Sequence, residues 1–368
     1  MTSTGDAAGP RARRPTRTLV SLTGPAGNLG DALIRRATLD WARHTSDELV
    51  IYTGDAPDIW LAQLGVPADA IVLRSKRSVP RWLWLLATSP AHPVLVFEAG
   101  EVPLDRGNVL RELVFLAETL TVRLKRGVVV RPPRGIRAPT NLAAWLHARA
   151  AGLSQFALWR DEASAALVGG TRVVPDIGFA AGVRNGSSWA DRGELIVSLR
   201  GTRPEPDAAW AAAVRATAAA EGLRIRTVVQ VREDEDRARD LATALAGEFE
   251  PWGDRDPLAQ EALLRERYDD ARLVISNRMH VLVLAALSGA VPVELVPHPT
   301  GKITEAFAAV GLHDLSLDAA ASTDDAMRRF LRTQLGRSDE VRERLREADR
   351  QLADVEAEVR AKITAARA

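Results

Sequence analysis

Apolar positions along this chain follow two rhythms, short unbroken runs and stretches spaced three or four apart, and from Thr18 onward the two alternate. The runs Leu19-Val20-Ser21-Leu22, Leu49-Val50-Ile51-Tyr52, Ile71-Val72-Leu73 and Val94-Leu95-Val96-Phe97 read as strands. Asp31 to His44 reads as a helix with Leu33, Ala37 and Trp41 on one face. A longer helix is expected over Arg106 to Leu124, then a strand at Val128-Val129-Val130, ended by a turn or loop at Pro132-Pro133-Arg134-Gly135. Strands at Phe156-Ala157-Leu158-Trp159 and Val173-Val174 close this half. Strands apolar on both faces and alternating with helices imply a parallel sheet covered on two sides.

Gly, Asn and Ser cluster over Gly182 to Gly193, which reads as a linker, and a second alternating series follows. Its strands are Leu195 to Leu199, Val228 to Val231, Leu273 to Ser276 and Val291 to Val296. Its helices are the Ala-dense segment Ala208 to Glu221, Asp236–Ala246, Pro257–Tyr268 and the run after His280. Asp339 to Ala366, charged throughout, reads as a solvated helix packing one thin apolar stripe. A chain of 368 residues exceeds what a single core usually supports. The expected division is a disordered tail at 1–17, an α/β domain at 18–185, a second at 190–335 and the charged helix at 336–368.

Composition narrows the function classes. A net charge of +1 offers no general attraction to nucleic acid. The absence of Cys excludes disulfides, thiolate nucleophiles and Cys-ligated metals, and fits a reducing cytoplasm. No apolar run reaches the ~18–20 residues of a membrane helix. The polar opening, with Arg11, Arg13, Arg14 and Arg17 and no apolar run behind them, is not expected to be a secretory leader. Its basic residues could draw the protein weakly to an anionic membrane face.

Candidate chemistry gathers where strands run into helices. In Ile275-Ser276-Asn277-Arg278-Met279-His280 a guanidinium and an imidazole stand between an apolar strand and an apolar helix. Open α/β sheets bind ligands at such strand ends, and helix amino ends favour anions. Arg offers a fixed fork for phosphate or carboxylate, and His can move a proton near neutral pH. The competing reading is a helix-start surface Arg and a half-buried, backbone-bonded His. Gly24-Pro25-Ala26-Gly27-Asn28-Leu29-Gly30-Asp31 is a second such turn; Asn28 can both donate and accept, and Asp31 is expected to be the helix N-cap. The turn is neither a dinucleotide fingerprint nor a Walker loop. Arg160, Arg200 and Lys302 also sit at predicted strand ends. The six His residues are scattered with no His-x-x-x-His pair, and no metal or cofactor is expected.

The ordered set Gly27-Asn28-x-Gly30-Asp31-x-Leu33-Ile34, Arg160-Asp161-Glu162-x-Ser164, Pro175-Asp176, Ser276-x-Arg278-Met279-His280 and Lys302 resembles the polysaccharide pyruvyl transferase family, from about Leu19 to about Leu312. The resemblance implies two Rossmann-like domains, GT-B-like, with the site in an interdomain cleft. It also implies transfer of a pyruvyl group from phosphoenolpyruvate to a sugar of a cell-envelope polysaccharide or its lipid-linked precursor, forming a ketal. The first domain would then face the acceptor and the second the donor. One departure is Phe97-Glu98-Ala99-Gly100-Glu101-Val102, where the family typically has a glycine-rich segment.

On this reading Arg278, Arg160 or Arg200, and Lys302 anchor the donor's phosphate and carboxylate. His280 transfers a proton, with a carboxylate such as Glu98 sharing that work, and Asn28 and Asp31 line the acceptor side. Glu98 or Glu101 could bond acceptor hydroxyls. Two alternatives stand beside it: a nucleotide-sugar glycosyltransferase on the same scaffold, and a non-catalytic partner protein.

Overall fold

The computed structural model describes residues 16–43, 45, 47–137, 139–184 and 187–367. In chain order the first half runs β1 (Arg17–Ser21), α1 (Leu29–Arg43), β2 (Glu48–Gly54), α2 (Asp58–Leu64), β3 (Ile71–Arg74), α3 (Val79–Ala87), β4 (Val94–Val96), β5 (Gly100–Pro103), α4 (Val109–Leu124), β6 (Val128–Arg137), α5 (Asn141–Gly152), β7 (Phe156–Trp159) and α6 (Glu162–Leu167). The second half runs β8 (Glu194–Ser198), α7 (Ala208–Ala220), β9 (Arg224–Val228), α8 (Glu235–Leu245), β10 (Glu248–Glu250), α9 (Pro257–Asp269), β11 (Ala271–Ser276), α10 (Met279–Leu287), β12 (Val291–Val296), α11 (Lys302–Ala308), β13 (Ser316–Asp318), α12 (Asp324–Leu335) and α13 (Ser338–Arg367).

Each half builds one wholly parallel sheet. The first has the order β3-β2-β1-β4-β6-β5, with β7 also on β6, and the second the order β10-β9-β8-β11-β12-β13. Renumbered within its own half, the second is the 3-2-1-4-5-6 order of a doubly wound fold, reversing between β8 and β11. The first sheet reverses in the same way between β1 and β4. The fold is two Rossmann-like α/β domains, and one apolar core runs through both.

The halves are joined by packing and by charge. Phe179 meets Phe307 edge-on at 5.5 Å. Arg36 on α1 grips Glu261 on α9 with both terminal nitrogens, at 3.0 and 2.9 Å. Helix α13 buries Val341, Leu345, Ala348, Leu352, Val355, Val359 and Ile363, one stripe at helical spacing. It returns to the first half, where Glu358 pairs with Arg172 at 2.8 Å. Among the described residues no helix is long and apolar enough to cross a membrane.

Four local expectations need correction. The strand expected at Val228 to Val231 is β9, which runs Arg224–Val228 and ends where that run begins. Pro132-Pro133-Arg134-Gly135 is not a turn but part of β6. The two prolines fall where β6 changes partner from β4 to β5 and where its register against β7 breaks, so their missing N–H groups interrupt no ladder. Val173 makes a single bridge to Trp159 rather than a strand. The expected tail at 1–17 overlaps β1, because Thr16 is already buried and Arg17 opens the strand; Arg11, Arg13 and Arg14 lie outside the described residues. Of the expected linker, residues 185–186 are likewise outside them.

Candidate functional site

The β1–α1 turn is organised by Asn28, not Asp31. The Asn28 carbonyl accepts the N–H of Ala32, and its Oδ1 accepts those of Gly30 and Asp31 at 3.1 and 3.4 Å, which makes Asn28 the helix cap. Asp31, the expected cap, lies inside the first turn, taking the Asn28 amide at 2.6 Å and facing Arg35 at 3.5 Å. Its charge there suits the helix's amino end.

Arg160 follows β7 and is buried among carboxylates. Its Nη1 lies 3.4 Å from Asp176, its Nη2 3.4 Å from Glu101 and its Nε 3.6 Å from Asp161. A side chain at Gly135 would collide with this guanidinium, so the glycine makes its space. Glu101 also takes Lys302 Nζ at 3.1 Å from the second domain and Arg137 at 3.2 Å. Burial pushes the Glu101 carboxyl up, but Lys302, Arg160 and Arg137 together bring it below its ordinary value. Burial lowers the Lys302 ammonium, aided by Arg160 and opposed by Glu101.

Asp176 connects this group to His280. The His280 Nε2 lies 3.6 Å from Asp176 Oδ1, which also accepts the Gly178 N–H at 2.9 Å. Burial would raise the Asp176 carboxyl, but the His280 ring, Arg160 and Gly178 outweigh it and hold Asp176 well below the usual carboxylate range. At 3.6 Å the imidazole faces the carboxylate without a formed hydrogen bond, and among the described residues Nε2 has no other partner.

On the second domain, Ser276 closes β11 and its Oγ accepts the Arg278 N–H at 3.0 Å. The Arg278 fork is not wholly open, because Nε and Nη2 both lie 2.5 Å from Asp234 Oδ2. Burial lowers the Arg278 guanidinium and Asp234 opposes that shift. Asp234 Oδ1 accepts the Gly201 N–H at 2.9 Å, and Asn277 Oδ1 accepts the Arg200 N–H at 2.7 Å. The turn after β8 is thereby tied to the turn after β11. The side chains of Arg200 and Arg203 form no ion pair among the described residues, and Gln230 is buried with its Oε1 unbonded.

Seven of the residues singled out in the sequence meet at one place, and Glu98 does not join them. Asn28, Asp31, Arg160, Arg200, Arg278, His280 and Lys302 line a single cavity of about 220 Å³ between the domains. Glu101, Arg203, Gln230 and Asn277 line it too. Of the residues that sequence reasoning did not assign, Arg203 had a readable signal, standing in the same strand-end turn as Arg200. Asp176 stood in a quoted motif without a role. Asp234 gave no signal, because its partner Arg278 lies 44 positions away in sequence, and Gln230 was read as part of a strand.

Glu98 is a correction. It accepts the Thr23 N–H and Oγ1–H at 3.1 and 2.6 Å, and it lines a different cavity of about 360 Å³ inside the first domain, among Tyr52, Trp82, Phe97 and Phe115. The carboxylate beside His280 is Asp176.

No family model and no curated protein sequence matches the chain. Its fold has solved counterparts. UDP-GlcNAc 2-epimerase from Neisseria meningitidis, bound to UDP-GlcNAc, superposes with TM-score 0.54 at 10% identity over 90% of this chain and 94% of that one. HepE from Anabaena, in complex with UDP, gives 0.54 at 13% identity over 93% and 100%. A mutant O-GlcNAc transferase from Thermobaculum terrenum gives 0.50 at 16% identity over 96% and 69%. At these identities the likeness shows the fold: two Rossmann-like domains in the GT-B arrangement.

Proposed function

We propose that this chain is a pyruvyl transferase that takes the pyruvyl group of phosphoenolpyruvate to a sugar of a cell-envelope glycan or its lipid-linked precursor. The observation that carries this reading is the convergence of Arg160, Arg200, Arg203, Arg278 and Lys302 around His280 in one cavity of about 220 Å³. A donor with a phosphate and a carboxylate on three carbons needs several cations close together. The cavity is smaller than the ~300–1,000 Å³ typical of sites for larger organic ligands. Arg200 and Arg203, which form no ion pair among the described residues, are the natural first contacts for an incoming anion. Arg278 adds its remaining edge while Asp234 holds the rest of the fork.

In the reaction C3 of the enol gains a proton and C2 develops oxocarbenium character. One sugar hydroxyl adds to C2 and loses its proton, and a second displaces phosphate. The products are a cyclic ketal and inorganic phosphate, so protons must be both delivered and removed. The approach of His280 to the ionised Asp176 supports giving this proton work to the imidazole. The cations offset charge that develops on the departing phosphate. No metal step is invoked.

A second reading, transfer or rearrangement of a nucleotide-linked sugar, draws on the fold neighbours whose structures hold UDP-GlcNAc or UDP. Isothermal titration with phosphoenolpyruvate and with a panel of UDP- and GDP-sugars separates the two. Saturable phosphoenolpyruvate binding with no response to the sugars supports pyruvyl transfer. Nucleotide-sugar binding with silence toward phosphoenolpyruvate overturns it.

A further inference from the structure

Helix α4 turns a second apolar stripe outward. Leu110, Leu113, Ala117, Leu120 and Leu124 repeat at three- and four-residue spacing, as an inward stripe would, yet all five are exposed, Leu110 at 73% and Leu124 at 85%. The face turned to the protein carries Phe115, edge-on to Phe97 at 5.0 Å, and Val122, with Glu112, Glu118 and Thr119 buried beside them. This orientation is held by specific bonds. Glu112 takes His147 at 2.8 Å and Arg111 at 3.1 Å, and Glu118 takes the Trp82 indole N–H at 2.7 Å. The helices on either side continue the exposed apolar surface. Trp84 on α3 is 61% exposed, and Leu142 and Trp145 on α5 are 56% and 52% exposed.

The charges on this face have one sign. Arg77, Arg81, Arg106, Arg123, Arg126 and Arg149 are exposed on or beside the three helices. No acid is exposed within residues 76–87, 106–126 or 141–153, since Glu112 and Glu118 are buried. Such one-sidedness in a chain of net charge +1 is a local property of this surface. An apolar stripe edged by Trp and surrounded by Arg is the composition of a face that lies in a membrane interface.

We propose that the α3–α4–α5 face docks the protein on an anionic lipid bilayer. It is distinct from the basic opening segment, and the inference does not depend on which donor the cleft binds. A second copy of this chain is the poorer occupant, because pairing two such faces would set Arg against Arg.

Cosedimentation of the full chain with phosphatidylglycerol-containing vesicles, against pure phosphatidylcholine vesicles, tests the proposal. Binding to the anionic vesicles should weaken in high salt and fall at least ~10-fold in Leu113→Gln/Leu120→Gln and in Arg77→Glu/Arg123→Glu. All substituted side chains are exposed, and unchanged melting temperatures certify the folds. Three results overturn it: no binding of the wild-type chain at low salt, binding indifferent to both variants, or a wild-type dimer in sedimentation velocity that Leu113→Gln/Leu120→Gln disperses.

Discussion

Gly30 and His280, from opposite domains, approach so closely that residue 30 has no room for a side chain: an added Cβ would lie 2.6 Å from His280 Cβ and 2.9 Å from its Nδ1. The amino end of α1 is thereby set against that of α10, and the contact fixes how the two sheets face one another across the cavity. Gly30→Ala should destabilise the protein by about 1–3 kcal/mol through overpacking. His280→Ala would not relieve the clash, because alanine keeps the Cβ. His280→Gly would, so Gly30→Ala should cost at least ~1 kcal/mol less in that background. Urea denaturation of the four proteins measures the coupling, and strictly additive costs would show that the contact does not hold the domains.

Asp176 should matter for stability as well as for proton transfer. Asp176→Asn keeps an acceptor for the Gly178 N–H but removes a charge from buried Arg160. Glu101 and Asp161 remain near that guanidinium, so the loss at neutral pH should fall short of the ~3–5 kcal/mol of a fully orphaned buried charge. The folded-state value is depressed, so the wild-type advantage is present above the ordinary 3.8 and is lost as pH falls through the depressed value. The two denaturation curves should therefore converge in acid. A gap that stays constant into strong acid contradicts the assignment.

What was legible in the sequence followed from geometry that a linear pattern carries. Apolar runs mark buried parallel strands, and a polar residue just past such a run sits at a strand end, which is how Arg160, Arg200, Arg278, His280 and Lys302 could be placed together. Pro132 and Pro133 misled because proline ends a strand only where its N–H is needed, and β6 changes partner there. Asp31 looked like the cap because capping chemistry is shared by Asn and Asp, and only the backbone decides between them. The pairs Arg278–Asp234 and His280–Asp176 are invisible to spacing, since folding brings together residues 44 and 104 positions apart. Helix α4 has the periodicity of a core helix, and nothing in that period says which way it faces.

Glu118 lies on the inward side of that helix, and its burial pushes the carboxyl up to about 7, against the Trp82 hydrogen bond and Arg131. An acid raised on folding stabilises the fold fully below its unfolded value of 4.5, and that contribution is lost as pH rises through about 7. Glu118→Gln keeps the acceptor for Trp82 and removes the titration. It should be nearly neutral below 4.5 and increasingly stabilising as pH rises to about 7, levelling off above that at up to about 3 kcal/mol. Melting curves below 4.5 and above about 7 read this directly, and an equal effect at both would mean that Glu118 is not shifted by folding.

Arg278→Lys keeps a charge but not a fork. The guanidinium holds Asp234 with Nε and Nη2 and turns its remaining edge to the cavity, whereas an ammonium on a flexible stem cannot reproduce that division. Phosphoenolpyruvate affinity should fall by about 1–3 kcal/mol in titration calorimetry. Unchanged affinity would reduce Arg278 to a strut between Asp234 and the strand end.

His280→Ala is the variant that separates an enzyme from a binding protein. Alanine keeps the Cβ that spaces the domains against Gly30 and removes only the ring that faces Asp176. If the ring moves a proton, it acts chiefly in the transition state. Release of phosphate from phosphoenolpyruvate in the presence of a glycan acceptor should then fall by ~10²–10⁴, with donor affinity nearly unchanged. If the ring only bonds the donor's phosphate, affinity and turnover should fall by similar factors. If it is a packing residue, melting temperature should drop while the folded fraction keeps its activity. Asp176 supplies the cross-check: because it acts on His280, Asp176→Asn should slow turnover in the wild-type background yet add little to His280→Ala. Losses that multiply would mean the two side chains serve separate steps, and near-normal turnover in a stably folded His280→Ala protein would end the catalytic assignment.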